Sequence, residues 1–390
     1  MPVLSTDERA ALSLSVRAAC ERLLPEERLR FVAYDAGPND RGFDRELWRT
    51  LCQQVGVAEI AVSDDLSGDG CGASAQAAIA HELGRVLAPV PFLSSAVLAT
   101  DLLAATCERA DLLADVIAGQ RTVAVALQNR CRRLDRTTAP VSASGDGDRW
   151  RLSGSVRRVL GAAGADHVLV VADTYGQPAI FVVDRNQSGV AVAVERVLDA
   201  TRPMATVTLR DAPAHRLTSD RPVGDVVDEC LLRTIAVLTA EQVGATERVL
   251  EMAVEYACTR RQFDRAIGSF QAVKHRLADM LVDLELARSA SMAAIQAVDE
   301  ANPEAKWRVS MAKAVCSEGL RDASHANLQI HGGIGFTWEH AAGLYVKRAR
   351  TDEVLFGGPA EHWNLLADTA ALVATQHDER SGEHASAASR

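Results

Sequence analysis

Tyr256-Ala-Cys-Thr-Arg-Arg-Gln-Phe-Asp-Arg-Ala-Ile-Gly-Ser-Phe-Gln-Ala-Val-Lys-His-Arg-Leu-Ala-Asp-Met280 is the stretch on which the reading of this chain turns. It joins two helical patterns. Val243, Leu250, Ala253, Val254 and Ala257 lie at helical spacing before it, and Leu277, Met280, Leu281, Leu284 and Ala287 do so after it. The insert therefore sets Arg260, Gln262, Phe263 and Gln271 at a helix-loop-helix junction. Further on the chain reads Gln329-Ile-His-Gly-Gly-Ile-Gly-Phe-Thr-Trp-Glu339, a second Gly-rich break in helical sequence.

Toward the N-terminus the period changes. Residues 119–224 hold short β-branched runs, His167–Val171, Ala179–Val183, Gly189–Val194 and Ala205–Leu209, parted by turn residues at the spacing of an antiparallel sandwich or barrel. Earlier still, Ala73–Leu87 and Ala96–Ala105 repeat apolar residues at helical spacing, and Val62–Gly72 is a Gly/Asp/Ser turn cluster. The chain thus divides into a helical domain at 1–118, a β domain at 119–224, helices at 225–373 and a polar tail at 374–390 that is expected to be disordered.

Composition excludes several classes. The 390 residues, 48% of them apolar, suffice for a large core in more than one unit. No apolar run of about eighteen residues occurs, so no membrane insertion is expected. Met1–Arg9 lacks the basic-then-apolar pattern of a signal peptide, which predicts a cytoplasmic protein. The eight cysteines include no C-x-x-C pair, so neither a metal site nor a disulfide framework is expected, and the thiols read as reduced and mostly structural. A formal charge of -10 argues against nucleic acid as a partner. The basic clusters Arg130–Arg133 and Lys347–Arg350 read as solvated surface or as sites for a small anion.

The two quoted segments, in this order and at this separation, resemble the two signatures of the acyl-CoA dehydrogenases, a flavoenzyme family. Leu47–Gly56, the Gly-rich loop and His81–Pro89 are similar to further landmarks of that family, so the resemblance covers nearly the whole chain. It implies an α+β, acyl-CoA dehydrogenase-like fold: an N-terminal helical domain, a middle antiparallel β domain and a C-terminal four-helix bundle. It also implies removal of two hydrogens across the α,β bond of an acyl-CoA thioester. In that reaction a carboxylate takes the α proton, FAD takes the β hydrogen as hydride, and an electron-transfer flavoprotein accepts the electrons.

Site residues follow from the same resemblance. Family members grip the adenosine diphosphate end of a neighbouring subunit's FAD with positions that match Arg260, Phe263 and Gln271, and Gln329, Gly332 and Gly333 match the second signature. A guanidinium suits pyrophosphate, and glycine lets backbone approach a nucleotide. The plain alternative is that Arg260 and Arg261 end a solvated helix and that Gly332 and Gly333 cap one. On the isoalloxazine side the chain departs from the family. Ala124–Asp135 replaces a Thr-Glu-Pro-containing, Gly/Ser-rich loop, and Leu152–Asp166 lacks the aromatic residue that covers the flavin in many members.

The base departs most. Gly357, in Leu355-Phe-Gly-Gly-Pro-Ala-Glu-His362, stands where many members carry the catalytic Glu, and Thr234 stands where relatives with the base on the preceding helix carry theirs. Glu241, two turns beyond Thr234 among Leu238, Ala240 and Val243, is one candidate base. The other reading of Glu241 is a carboxylate bonded to a neighbouring side chain or helix end. Glu361 and His362 lie near Gly357 but are offset along the chain, which points them elsewhere.

Three readings follow. One is a flavin-completing subunit of a hetero-oligomer whose sister chain brings the base, as in bacterial heteromeric acyl-CoA dehydrogenases for bulky, sterol-like thioesters, which Ala240–Arg248 and Ile267–His275 resemble. The second is a self-sufficient dehydrogenase with an unconventional base, and the third a non-catalytic scaffold subunit.

Overall fold

The computed structural model of the chain describes residues 4–35, 37, 42–63, 66, 68–106, 108–127, 140–147 and 149–367. Helices open it: α1 (Thr6–Leu23), α2 (Glu26–Arg30), α3 (Arg45–Thr50), α4 (Gly72–Arg85), α5 (Thr100–Thr106) and α6 (Ala110–Ile117). A reciprocal cap starts α1, where the Ser5 hydroxyl accepts from the Glu8 amide and the Glu8 carboxylate accepts from the Ser5 amide. The sequence predicts one helix over Ala96–Ala105. In the structure a wholly buried π-helical segment, Phe92–Ala99, passes into α5 at Thr100, whose hydroxyl donates back to the Ser95 carbonyl at 2.8 Å.

The β region has seven strands: β1 (Val123–Ala126), β2 (Val141–Asp146), β3 (Arg149–Leu160), β4 (His167–Thr174), β5 (Gln177–Asp184), β6 (Val190–Val194) and β7 (Met204–Leu217). Pairings β4–β5, β5–β7, β7–β3, β3–β2 and β2–β4 close a ring, with β1 added to β4 and β6 to β7. The pairing is antiparallel except for β1–β4 and the single β2–β4 contact, which are parallel. Inside the ring Trp150 meets Phe181 at 5.5 Å within its own apolar cluster. β3 carries a register shift between Val156 and Val159, and Arg158 sits there at φ 56.

From Val223 the chain is helical again: α7 (Val223–Thr259), a two-residue hairpin of β8 (Arg261–Gln262) and β9 (Arg265–Ala266), α8 (Gln271–Asp299), α9 (Ala305–His331) and α10 (Ala342–Val354). A Cβ on Gly84 of α4 would overlap the Glu241 carbonyl, and one on Gly244 of α7 would overlap the His81 carbonyl, so these helices cross in backbone contact. Asp299, at the end of α8, caps α4 from outside by accepting from the amides of Ala73, at 2.5 Å, and Ser74, at 3.0 Å. One apolar core then runs from the N-terminal helices through the outer side of the ring into α7 and α9.

Among the described cysteines five are buried, Cys258 is exposed, and all are free thiols. Among the described residues no helix is long and apolar enough to cross a membrane, and none of their His, Cys, Asp and Glu side chains cluster as a metal site. Gln128 onward in the altered β-domain segment, Arg130–Arg133 and the tail at 374–390 lie outside the described residues.

Candidate functional site

The residues matched to the nucleotide end collect at one end of the bundle. Arg260 follows the last turn of α7, and its carbonyl accepts from the Ile267 amide at 2.8 Å, which folds the hairpin back. At the hairpin tip Phe263 and Asp264 take φ values of 51 and 59, and the Phe263 ring is 86% exposed. Gln271 opens α8 and lies 3.0 Å from the His275 ring. Across from them Gln329 is exposed on the last turn of α9, and Gly332 and Gly333 begin the turn that follows, where an added Cβ would meet nothing within 4 Å. The Tyr256 ring stacks on the His331 ring at 4.3 Å and holds the two groups to the same end. Exposed guanidinium, aromatic and amide groups beside open glycine backbone have the donor set that an adenosine diphosphate needs.

The segments matched to the isoalloxazine side are described only in part, since Gln128 onward lies outside the described residues. The small hollow there is lined by Ser94, Leu98, Val125, Leu127, Arg158, Val159 and Leu160 together with Leu355 and Phe356. These walls are mainly aliphatic, and Phe356 adds its ring from a left-handed backbone position, φ 58. Lys313, wholly buried, fixes the Phe356 turn: its ammonium lies within hydrogen-bond distance of the carbonyls of Asp352 at 2.9 Å, Gly357 at 3.1 Å and Glu353 at 3.3 Å, and of the Ser317 hydroxyl at 2.9 Å, sharing its three N–H groups among them.

Neither usual base position supplies a carboxylate. Thr234 is buried with its hydroxyl donating to the Cys230 carbonyl at 2.7 Å, and Gly357 is backbone in the turn just described. Glu361 is exposed. His362 is buried with Nε2 3.1 Å from the Phe356 carbonyl, and burial next to the Lys313 charge pushes its pKa down to about 4.

Of the two readings of Glu241, the contacts are those of a carboxylate bonded to neighbouring side chains. Its Oε1 accepts from Arg348 at 2.6 Å and from Arg202, and all three groups are buried. Arg348 also bonds Asp199 at 2.6 Å and the Thr201 hydroxyl at 2.7 Å, while Arg202 Nε faces Asp352 at 2.9 Å. Oε1 is thus held by two guanidiniums, the arrangement of a carboxylate bonded to neighbouring side chains. These partners come from the β6–β7 connection and from α10, remote in sequence. Nothing on the helix face of Glu241 identifies these partners in the sequence.

Family models agree with this architecture. One described as the acyl-CoA dehydrogenase N-terminal domain matches residues 6–110, and one described as the acyl-CoA dehydrogenase C-terminal domain matches 225–371. The chain is 35% identical over 348 residues to the acyl-CoA dehydrogenase IpdE2 of Mycobacterium tuberculosis, covering 87% of this chain and 94% of that protein. It is 34% identical to the acyl-CoA dehydrogenase FadE27 of the same organism, over 82% of this chain and 86% of that one. Among solved structures, the ChsE4-ChsE5 complex from Mycobacterium tuberculosis superposes with a TM-score of 0.83 at 31% identity, covering 95% of this chain and 99% of the matched chain.

Proposed function

Because the chain belongs to the acyl-CoA dehydrogenase family, we propose that it works as the flavin-completing subunit of a hetero-oligomeric dehydrogenase. One observation carries this reading. The nucleotide-end residues Arg260, Phe263, Gln271, Gln329, Gly332 and Gly333 share one end of the bundle, whereas the hollow at Phe356 is lined, among the described residues, mainly by aliphatic side chains and the usual base positions hold Thr234 and Gly357. The residues kept are those that serve a neighbour's flavin. The solved complex of two different chains, ChsE4 and ChsE5, supports a paired assembly.

In this reading Arg260 pairs with the FAD pyrophosphate, Phe263 packs on the adenosine, and Gln271 and Gln329 donate amide hydrogens to it. FAD, once bound, supplies the hydride acceptor for α,β-dehydrogenation. The sister chain supplies the base and the isoalloxazine pocket. The substrate is an acyl-CoA thioester, by likeness a bulky and sterol-like one, the acceptor an electron-transfer flavoprotein, and the compartment the cytoplasm.

The test is flavin counted per polypeptide after denaturation. The chain expressed alone is expected to be colourless and to take up FAD only with its sister. Arg260→Ala in the complex is expected to weaken flavin retention by about 1–3 kcal/mol, the cost of leaving a hydrogen-bonding group without its partner. Near one FAD per chain in the isolated protein, with turnover, would overturn the reading in favour of a self-sufficient dehydrogenase.

A further inference from the structure

The buried ion pairs around Glu241 are unevenly shared. Three carboxylates, Asp199 and Asp352 beside Glu241 itself, face two guanidiniums, Arg202 and Arg348, and every one of the five is more than nine-tenths buried. They are unequally served. Asp199 accepts from Arg348, from the Thr201 amide at 2.9 Å and from the Thr201 hydroxyl at 2.5 Å. Glu241 accepts from both guanidiniums. Asp352 has only the Arg202 Nε at 2.9 Å, too far off line for a hydrogen bond, and neither of its oxygens meets a donor among the described residues.

We propose that Asp352 carries a proton in the folded chain at mildly acidic pH, and that its ionisation on raising the pH loosens the junction between the β region, α7 and α10. Of the three carboxylates Asp352 has the poorest partners, and a buried anion without donors is the costliest arrangement in such a group. The groups facing Asp352 are Asp199 and Arg202 from the β6–β7 connection, Glu241 from α7 and Arg348 from its own helix. Lys313 from α9 also reaches Asp352, but by way of its main-chain carbonyl. Burial raises Asp352 to about 6, outweighing the pull of Arg202 and Arg348, with Glu241 and Asp199 adding to the rise. The same Lys313 ammonium binds the carbonyls of Asp352 and Gly357, so a shift at the end of α10 is passed to the Phe356 turn.

Asp352→Asn keeps the shape and removes the charge. Thermal unfolding midpoints of wild type and variant, followed from pH 3.5 to pH 8, are expected to agree at the acid end. The wild type should then fall below the variant as pH rises from 3.8 to about 6, and stay below it by roughly 2–4 °C or more at higher pH. A variant less stable than wild type throughout that range would show that the carboxylate is needed as an anion, and the proposal would fail. If the variant does not fold, infrared difference spectra of the wild-type chain decide: a protonated-carboxyl band from a buried group that bleaches between pH 5 and 8 supports the proposal, and its absence at pH 5 overturns it.

Discussion

Glu241 serves two guanidiniums through a single oxygen, so its replacement separates a structural from a chemical role. Glu241→Gln removes the one carboxylate that accepts from both Arg202 and Arg348 within the buried network. Loss of one partner in a buried ion network costs about 3–5 kcal/mol, and urea unfolding at pH 7 is expected to show a loss of that size. Unchanged stability with abolished turnover in the assembled enzyme would restore Glu241 as a base. The network was not legible beforehand because its contacts lie 39 and 107 residues from Glu241, and nothing local to an α7 face announces them. Arg260, Phe263 and Gln271 are a different case. They lie within one short segment, so their gathering at the hairpin follows from chain continuity, while their proximity to Gln329 depends on Tyr256 stacking on His331.

Helix-scale packing turns on the α4–α7 crossing. Gly244→Ala would drive a methyl group into the His81 carbonyl, and the helices must part to admit it. Overpacking of this kind costs about 1–3 kcal/mol, readable as a lowered denaturant midpoint with an unchanged slope. An alanine as stable as wild type would mean that the crossing relaxes freely. Between the same helices His81 Nε2 lies 2.8 Å from Glu247 and Nδ1 3.3 Å from Glu82. Burial disfavours the charged ring, but the hydrogen bonds and charges of Glu247 and Glu82 outweigh it and raise the His81 pKa above 6.5. A raised pKa means the folded state binds the proton more tightly. The stabilisation is therefore complete below pH 6.5 and is lost as pH rises through the higher folded value. His81→Gln is expected to flatten the fall in stability across that window, and an unaltered pH profile would remove His81 from the account. The periodicity of residues 73–87 revealed α4 as an apolar helix. It did not reveal which helix would lie on it, since a glycine in a helical pattern reads equally as a packing site or as a weak spot.

On the scale of the whole molecule, the domain boundaries expected at 118/119 and 224/225 mark changes of secondary structure more than breaks in the core. The larger apolar cluster includes Leu102 and Val116 from the N-terminal helices, Leu169 and Ile180 from the ring, and Val237 and Leu320 from the bundle. α7, with 37 residues and roughly 55 Å of length, runs beneath both helical parts. The N-terminal helices therefore cannot detach without exposing the apolar face of α7. We expect one calorimetric transition for the helical parts, coincident with loss of far-ultraviolet circular dichroism, as cooperative unfolding requires. Leu102→Ala, in the N-terminal part, removes buried methyl groups at a cost of about 2–5 kcal/mol, and it should move that single transition to lower temperature as a unit. Two resolved peaks, with the substitution shifting only the first, would show instead that the N-terminal helices form an independent unit docked on the bundle. The charged junction at Asp199, Arg202, Arg348 and Asp352, together with the apolar contacts of Leu169 and Ile180, would then tie the β region to the bundle, and it should melt with the second peak.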